Sequence, residues 1–303
     1  GYASLQANPT TMGFMDKTLL SIVAGLGGMF GWGTSDFFAN LSSERIGYFK
    51  TFFWSQPTGI VFMLCLIPFF GLSALPSLYF ILLLLVLAVL DSAGYLLFYK
   101  AFEIGNVSIV SATINLNIVF AMLIAFIFRA QRLTPLQTVA VVLILFGITL
   151  VSVNFNDLKN RQFKLLAGVK ETIISAVFFS IYWNLTETVS ETIGWLGATL
   201  YVKIGATLFL LIFALLAKRT LALTRTSTKT KVIVTLVGIL EALATSSVNW
   251  GLGVGDLILV SPISSAFTVV TISMAVIFLK EKLSLTQTLG IVLAITGIVL
   301  TAL

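Results

Sequence analysis

The chain has 303 residues, of which 58% are apolar and 10% are charged, and its mean hydropathy is +1.06. A soluble domain carries about 25% charged residues, so the composition predicts an integral membrane protein. Histidine is absent and Cys65 is the one cysteine. This excludes haem and histidine–zinc sites, serine–histidine or cysteine–histidine catalysis, cysteine metal clusters and disulfides within the chain. We therefore expect no cofactor and no metal.

Ten segments are long and apolar enough to be membrane helices. Crossing a hydrocarbon core of ~30 Å takes about 20 apolar residues, and turn or charge signals separate the segments. In chain order they span residues 19–41, 50–71, 77–99, 107–128, 136–153, 165–187, 195–217, 231–251, 257–279 and 286–303. Five fall in each half, and an odd number of crossings per half makes the two halves antiparallel across the bilayer.

The second half of the chain repeats the first at a fixed offset of 150 residues. Tyr99–Val153 and Asn249–Leu303 share 15 identities in 55 aligned pairs. Apolar composition alone produces matches between apolar residues, so the argument for duplication rests on matched glycines and polar residues. These pairs include Gly105/Gly255, Ser111/Ser261, Gln137/Gln287 and Gly147/Gly297. Inverted duplication is a common plan of secondary transporters.

The fold prediction is an all-α, multi-pass integral membrane protein with ten transmembrane helices as two inverted five-helix repeats. Residues 19–154 form the first repeat and residues 165–303 the second. Residues 1–18 are an N-terminal tail, of which the first fourteen are uncharged, begin with glycine and are interpreted as an expression remnant. No targeting segment is recognisable, which fits the cell (inner) membrane of a bacterium or archaeon.

The loops on the two sides of the membrane differ in positive charge. On the side of the termini the cations are chiefly Lys17, Arg129 and Arg132. The opposite side carries Arg45, Lys50, Lys159, Arg161, Lys164, Lys218, Arg219, Arg225, Lys229, Lys231, Lys280 and Lys282. The net charge of +6 is therefore interpreted as a signal of orientation and not of nucleic-acid binding. The positive-inside rule places both termini outside the cytoplasm.

Two acids lie at matched positions near the centres of predicted helices. Asp91 is in the third segment, and Glu241, 150 residues later, is in the eighth. An ionisable residue at mid-bilayer costs about 2.5–3.5 kcal/mol, so it usually faces a cavity or a partner. We predict that the pair binds protons or cations. The alternative is a structural acid that a neighbouring lysine or hydroxyl satisfies.

Two other charged residues lie inside predicted helices. Lys203, in the seventh segment, is the candidate charge partner of Glu241 or Asp91, or the group that holds a substrate carboxylate. Snorkelling to the nearer interface is the interpretation that we favour for it. Asp36 closes the first segment, where we expect a solvated or gate-forming role rather than substrate binding.

Polar and aromatic side chains inside the segments predict a substrate cavity. Its aromatic walls would be Trp32, Tyr95, Tyr182 and Trp183. Polar stripes at helical spacing on the fourth, eighth and ninth helices must point into the bundle. The predicted binding residues on them are Ser111, Asn115, Thr245, Asn249, Ser261 and Ser265. Two alternatives stay open: the stripes only join helices, and the aromatic residues belong to an interfacial belt.

Several motifs resemble those of the drug/metabolite transporter superfamily, in particular its EamA-like ten-helix branch. They are Gly31-Trp32-Gly33, the A-x-x-I-G step at Ala101–Gly105, and paired elements from Phe128 to Gly147 and from Phe278 to Gly297. Each paired element has the pattern F-x-x-x-x-L-[TS]-x-x-Q-x-x-x-x-x-L-x-x-x-G. The run Phe278–Lys282 looks like the family's E-(K/R)-L turn, whereas the first copy has Gln131 in place of the glutamate.

The resemblance covers residues 19–303 and implies export or exchange of amino acids, metabolites or drugs, with proton coupling in many members. It also implies cytoplasmic termini, in disagreement with the charge count. We predict a secondary active transporter, not an enzyme, that exports or exchanges a small amphipathic metabolite by alternating access. Asp91 and Glu241 would couple this transport to protons.

Other classes of protein are less compatible with the residues present. The chain lacks the G-x-x-x-x-G-K-[ST] motif of ATPases, so gradients would drive transport. A channel or a lipid flippase is the main alternative, and an intramembrane enzyme would have to work with Asp, Glu, Lys and Ser alone.

In the predicted transporter the first four helices of each half move. The fifth and tenth are a scaffold or the surface of a homodimer.

Overall fold

The computed structural model describes residues 17–72, 77–128, 134–152, 165–254, 260 and 263–301. Its helices are α1 (Lys17–Ile46), α2 (Tyr48–Phe70), α3 (Leu78–Ile104), α4 (Val107–Thr113), α5 (Leu116–Phe128), α6 (Pro135–Ser152), α7 (Val169–Ile193), α8 (Trp195–Leu216), α9 (Thr228–Val254), α10 (Phe267–Phe278) and α11 (Leu285–Thr301). Helices occupy each of the ten predicted segments, and the fourth segment is divided between α4 and α5. Most of the predicted N-terminal tail lies outside the described residues.

Six helical stretches are long and apolar enough to cross a membrane: Tyr48–Phe70, Leu78–Ile104, Val107–Phe128, Pro135–Ser152, Trp195–Leu216 and Thr228–Gly251. Two shorter helices, Ile263–Phe278 and Leu285–Leu300, are also apolar. With 30 and 25 residues, α1 and α7 are long enough but less apolar, because each carries polar and aromatic side chains on its inner face. The count of ten crossings and the inversion of the repeats stay predictions.

Three helices extend by five or six residues beyond the predicted ends. α1 continues to Ile46, α3 to Ile104 and α7 to Ile193, whereas the apolar segments end at residues 41, 99 and 187. In each case the polar or charged residues that suggest a loop form the last turns of the helix. Polar helix ends are stable where they leave the hydrocarbon core, so apolar length underestimates helix length.

The fourth helix of the first repeat is broken in the middle. α4 ends at Thr113 and α5 begins at Leu116. The side-chain nitrogen of Asn115 donates a hydrogen bond of 3.1 Å to the carbonyl oxygen of Ala112, which satisfies an acceptor near the break. In the second repeat the chain also leaves helical geometry, at Ala266, before α10 begins. Discontinuous helices near the midplane are a recurring feature of membrane binding sites.

Glycines allow α1 to approach α9 closely. A Cβ atom at Gly31 would lie 2.7 Å from the Cβ of Ala244, and one at Gly27 would lie 2.6 Å from the hydroxyl oxygen of Ser247. Both distances are shorter than a normal contact, so neither position has room for a side chain. The GxxxG motif formed by Gly27 and Gly31 therefore packs two helices of the same bundle against each other.

α6 and α11, the fifth and tenth predicted helices, pack against each other and begin with the same capping box. The backbone N–H of Gln137 donates to Thr134 Oγ1 at 3.2 Å, and the N–H of Thr134 donates to Gln137 Oε1 at 3.0 Å. Ser284 and Gln287 form the same two bonds at 3.2 and 2.9 Å. The glutamines matched between the two repeats are thus explained by helix initiation.

The contact between α6 and α11 has no room for a side chain at Gly147. A Cβ atom there would lie 2.5 Å from the carbonyl oxygen of Gly290, and backbone atoms move aside less easily than the end of a side chain. We expect Gly147→Ala to lower the free energy of unfolding by about 1–3 kcal/mol. The measurement is the midpoint of thermal unfolding of the purified protein in detergent.

Gly197→Ala is the matched control for this prediction. Gly197 also lies in a helix, but an added Cβ would meet its nearest atom at 3.7 Å, which is an ordinary contact. Because alanine has a higher helix propensity than glycine, this variant is expected to be as stable as the original protein or more stable. Equal unfolding midpoints for the two variants would contradict the packing at Gly147.

One end of the bundle is joined by polar contacts, and we call it the closed end. Gly47 alone connects α1 to α2 there, with a φ of 87° that favours glycine. The backbone N–H of Tyr48 donates to Glu103 Oε2 at 2.7 Å, which joins the start of α2 to the end of α3. Lys100 and Glu171 form an ion pair of 3.2 Å between α3 and α7. These contacts hold helices of both repeats together at this end.

A carboxylate of the second repeat caps a helix of the first repeat at the closed end. Glu281, in the turn between α10 and α11, accepts hydrogen bonds from the backbone N–H groups of Val107 at 2.8 Å and Ser108 at 3.1 Å. It also accepts a bond of 2.6 Å from the hydroxyl of Ser108. Bonds to a charged acceptor are roughly twice as strong as neutral ones. We refer to these three bonds as the Glu281 clasp.

A layer of buried aromatic rings lies on the inner side of these contacts. The ring centroids of Phe98 and Phe102, one turn apart on α3, are 4.5 Å from each other. Phe52 of α2 contacts Tyr99 edge to face with centroids 5.7 Å apart. All four side chains belong to one buried cluster. The layer separates the centre of the bundle from the closed end.

Candidate functional site

A partly open cavity of about 520 Å³ lies between α1, α3, α5, α7, α8, α9 and the start of α10. Its volume is within the range of small-molecule pockets, ~300–1,000 Å³. Phe98 lines it on the side of the closed end, and Met122 and Asn184 line it toward the opposite end. The aromatic layer and the closed end therefore form its floor.

The cavity is built from equivalent faces of the two repeats. The lining residues of α3 and α9 are Asp91, Tyr95 and Phe98 and, 150 residues later, Glu241, Thr245 and Val248. This is the spacing i, i+4, i+7, which places each set on one face of its helix. Four further pairs of lining residues have the same offset: Trp32/Tyr182, Ile114/Ser264, Asn115/Ser265 and Asn117/Phe267. The duplication seen in the sequence thus converges on this cavity.

Glu241 has two side-chain partners in the wall of the cavity. Its Oε2 accepts a hydrogen bond from the ammonium group of Lys203, and its Oε1 accepts one of 3.0 Å from the hydroxyl of Thr245. Lys203 is 4% exposed and so does not snorkel to the interface, contrary to the interpretation favoured from the sequence. The reason is that its face of α8, which it shares with Thr199, is turned toward the cavity.

Two further carboxylates line the same cavity. Asp36 is 5% exposed and Asp91 is 7% exposed. The prediction that Asp36 closes its helix is wrong, because α1 continues for ten residues beyond it to Ile46. Across the described residues, neither carboxylate has a hydrogen-bond or ion-pair partner. Glu241 repels both of them, and Lys203 attracts Asp91.

Aromatic rings form a large part of the cavity wall. The indole of Trp32 contacts Trp183 edge to face with centroids 6.1 Å apart, and it contacts Phe267 at 6.0 Å. The ring of Tyr95 lies 4.9 Å from that of Phe179. The four predicted aromatic residues, Trp32, Tyr95, Tyr182 and Trp183, all line the cavity. The alternative of an interfacial belt does not describe them.

Of the predicted polar binding residues, Asn115, Thr245 and Ser265 line the cavity. Ser111 and Asn249 are not among the lining residues. The hydroxyl oxygen of Ser111 is buried without a hydrogen-bond partner among the described residues. The side-chain nitrogen of Asn249 donates to Thr199 Oγ1 at 3.2 Å and so joins α9 to α8. Ser261 lies outside the described residues.

The donor set of the cavity does not resemble a metal centre. Within the ranges that the structure describes, no group of three or more histidine, cysteine, aspartate or glutamate side chains has an arrangement that could hold a metal ion. Asp36, Asp91 and Glu241 therefore face one cavity without converging on one point. The arrangement suits a ligand that is large enough to contact them separately.

Long apolar helices that surround a central cavity and repeat at a fixed offset define a multi-pass membrane protein with two repeats. The EamA-like transporter family matches residues 19–153 and 166–303, one match in each half. The chain belongs to the EamA-like transporter family. It is therefore a membrane transporter of the drug/metabolite type. The members of this class lie in lipid bilayers, transport small molecules and are not enzymes.

Comparison with solved structures agrees with this fold. A crystal structure described only as "Crystal structure of protein" is similar over 92% of this chain and 95% of its own, with a TM-score of 0.66 and 14% sequence identity. At this identity the likeness shows a shared fold and nothing about substrate. No curated protein matches the sequence.

Proposed function

We propose that this protein is a secondary active transporter that exports or exchanges a small amphipathic metabolite by alternating access. The observation that carries the proposal is the partly open cavity with three buried carboxylates between equivalent faces of two repeats. Rocking of one repeat against the other would expose such a cavity to either side of the membrane in turn. An amino acid, an aromatic compound or a drug fits its mixed lining. The location that goes with this role is the cell (inner) membrane, with no nucleic-acid partner.

We assign proton coupling to Asp91 and Glu241. Each lies in the cavity wall at the matched position of its repeat, so each can exchange a proton with whichever side the cavity faces. Glu241 is held by Lys203 and Thr245, whereas Asp91 has no such partner among the described residues. Asp91 is therefore the group that we expect to release and bind the coupled proton.

The moving parts and the scaffold follow from which helices surround the cavity. Of the described residues, none from α6 or α11 lines it, and these two helices pack tightly against each other. They fit the role of a scaffold or of a homodimer surface. The Glu281 clasp and the ion pair of Lys100 with Glu171 would have to open for the cavity to face the closed end.

Transport by purified protein in proteoliposomes tests this function. The internal pH is followed with a trapped dye while amino acids, nucleosides and cationic drugs are added one at a time. We expect a saturable proton flux with at least one of these compounds. Silence across the panel, with folded protein confirmed, would contradict proton-coupled transport of small metabolites.

The same vesicles separate a carrier from its main rivals. A carrier saturates and shows counterflow of labelled substrate, whereas a channel conducts without saturation. A flippase would move labelled lipid between leaflets and leave the compounds in the panel in place. Saturation with counterflow supports the proposal, and either of the other two results contradicts it.

The Glu281 clasp gives a local prediction for Glu281→Gln, which keeps the shape of the side chain and removes its charge. The loss of charge-assisted bonds is expected to weaken the cap by about 1.5–3 kcal/mol. Amide hydrogen exchange at Val107 and Ser108 should then rise roughly 10- to 100-fold, as measured by mass spectrometry in nanodiscs. Lys282→Gln, an exposed change of one charge in the same turn, should leave this exchange unchanged. Equal exchange in both variants would show that the carboxylate does not hold α4.

A further inference from the structure

We infer that the central cavity binds an organic cation, whose positive charge lies against the carboxylates of Asp36 and Asp91 and whose apolar body lies between the aromatic walls. The inference rests on the proposed function, because it names the substrate class of the same cavity. It goes beyond that function in assigning a binding role to Asp36 and in choosing a sign of charge.

The first step is the balance of charge in the cavity wall. Among the described residues, the lining contains three acids, Asp36, Asp91 and Glu241, and one base, Lys203. Lys203 is bound to Glu241 and can balance one negative charge, so these acids exceed the base by two. A buried carboxylate without a partner is costly, and a positively charged ligand would supply that partner. A substrate anion would instead meet two carboxylates and find the ammonium group of Lys203 already engaged with Glu241.

The second step is the position of the aromatic rings relative to these acids. Trp32 and Asp36 are four residues apart on α1, and Asp91 and Tyr95 are four residues apart on α3. Residues at this spacing share one face of a helix, so each unpartnered acid has a cavity-lining aromatic ring one turn away. The face of an aromatic ring attracts a cation within about 6 Å, most strongly when the cation is poorly hydrated. A substituted ammonium group fits this combination of acid and ring.

The third step is the size of the cation. Inorganic ions such as Ca²⁺ require six to eight oxygen ligands at ~2.3–2.6 Å, and the described part of the chain offers no cluster of three or more acidic, histidine or cysteine ligands for one ion. The cavity of about 520 Å³ is large enough for a molecule with both a charged group and an apolar body. The geometry thus favours an organic cation over a metal ion.

Two compounds of similar shape and opposite charge test the inference on the unmodified protein. Benzyltrimethylammonium is the cation and benzylsulfonate is the anion, and binding of each is measured by calorimetry with the protein in nanodiscs of uncharged lipid. We expect saturable binding of the cation that is at least about tenfold tighter than binding of the anion. Equal affinities, or tighter binding of the anion, would overturn the inference.

Substitutions then assign the site to its two aspartates. Asp36→Asn and Asp91→Asn keep the shape of the side chain and remove its charge, and each is expected to weaken binding of benzyltrimethylammonium on the order of tenfold. Glu44→Gln is the control, because Glu44 is an exposed acid near the closed end and its loss should not change binding. Unchanged affinity in both folded aspartate variants would remove the site from this cavity. If a variant does not fold, the comparison of the two compounds on the unmodified protein decides.

Counterflow in proteoliposomes separates a failure of this inference from a failure of the proposed function. Saturable counterflow of labelled benzyltrimethylammonium supports both. Saturable counterflow of phenylalanine, without binding of benzyltrimethylammonium, overturns the cation inference and leaves the transporter proposal in place. If no compound in the panel shows saturable movement with folded protein, the proposed function itself is wrong.

Discussion

Replacement of Lys203 by methionine is expected to lower the free energy of unfolding by about 3–5 kcal/mol. Methionine has a similar length but no charge, so Glu241 would remain buried in the cavity wall without its ammonium partner. Glu241→Gln is expected to cost less, because Lys203 retains an attractive interaction with Asp91. Reversible unfolding in mixed micelles measures both effects. The double variant K203M/E241Q should recover most of the loss, since it removes both charges of the pair.

Lys100→Met is the matched control for this prediction. Lys100 also forms an ion pair, with Glu171 at 3.2 Å, but its side chain is 42% exposed. Exposed ion pairs contribute only about 0–1 kcal/mol, so this variant should lose little stability. If Lys203→Met costs no more than Lys100→Met, the pair in the cavity wall is not a buried structural pair. Failure of the double variant to recover stability would point to the same conclusion.

Asp91→Asn is expected to abolish transport that is driven by a pH gradient while leaving exchange of one substrate molecule for another at saturating substrate concentrations. The asparagine amide keeps the shape of the side chain but cannot bind and release a proton in the range where the carboxyl group does. Exchange needs only that the loaded cavity faces the two sides in turn. Uptake with and without an imposed pH gradient, measured in proteoliposomes made from the same preparation, separates the two activities.

Glu44→Gln serves as the control for the coupling experiment as well. It removes one acid at a position that is exposed and outside the cavity, so pH-driven transport should continue at the original rate. Persistence of pH-driven transport in Asp91→Asn at that same rate would remove Asp91 from proton coupling. Loss of exchange together with pH-driven transport would instead make Asp91 a residue required for every step of the cycle.

The positions of the helices could be predicted from the sequence because apolar length is set by the thickness of the membrane. The offset of 150 residues between the repeats also predicts which residues line the cavity. It relates Asp91 to Glu241, and both line the cavity. Applied to Trp32 and Asn115, the same offset gives Tyr182 and Ser265, which also line it. Duplicated chains place equivalent faces around a shared axis, so the offset finds pairs of lining residues without any coordinates.

The features that could not be predicted depend on contacts between distant helices. The break at Asn115 has no glycine or proline to signal it, and the asparagine side chain stabilises it locally. The sequence predicts a helix end at Asp36, because the polar residues after it resemble a loop. Phe98 and Phe179 line the cavity, yet a phenylalanine in an apolar helix carries no mark of the side that it faces.

The Glu281 clasp has a counterpart position in the first repeat that differs in charge. Glu281 corresponds to Gln131, and Ser108, whose hydroxyl donates one of the three bonds, corresponds to Ile258. Both of these residues lie outside the described ranges. Gln131 has a neutral amide where Glu281 has a carboxylate, and Ile258 has no hydroxyl group. The sequence therefore does not place the same carboxylate and hydroxyl at the matched positions of the first repeat.

In an alternating-access transporter, a contact that stabilises closure of one end shifts the equilibrium between the two orientations of the cavity, and each 1.4 kcal/mol changes that equilibrium tenfold. A ligand that arrives at the closed end meets only the minor fraction of molecules that are open there, so its apparent dissociation constant is raised by the reciprocal of that fraction. A ligand from the other side meets the major fraction. The Glu281 clasp would in this way favour loading from the opposite side at low ligand concentration, although Glu281 does not line the cavity.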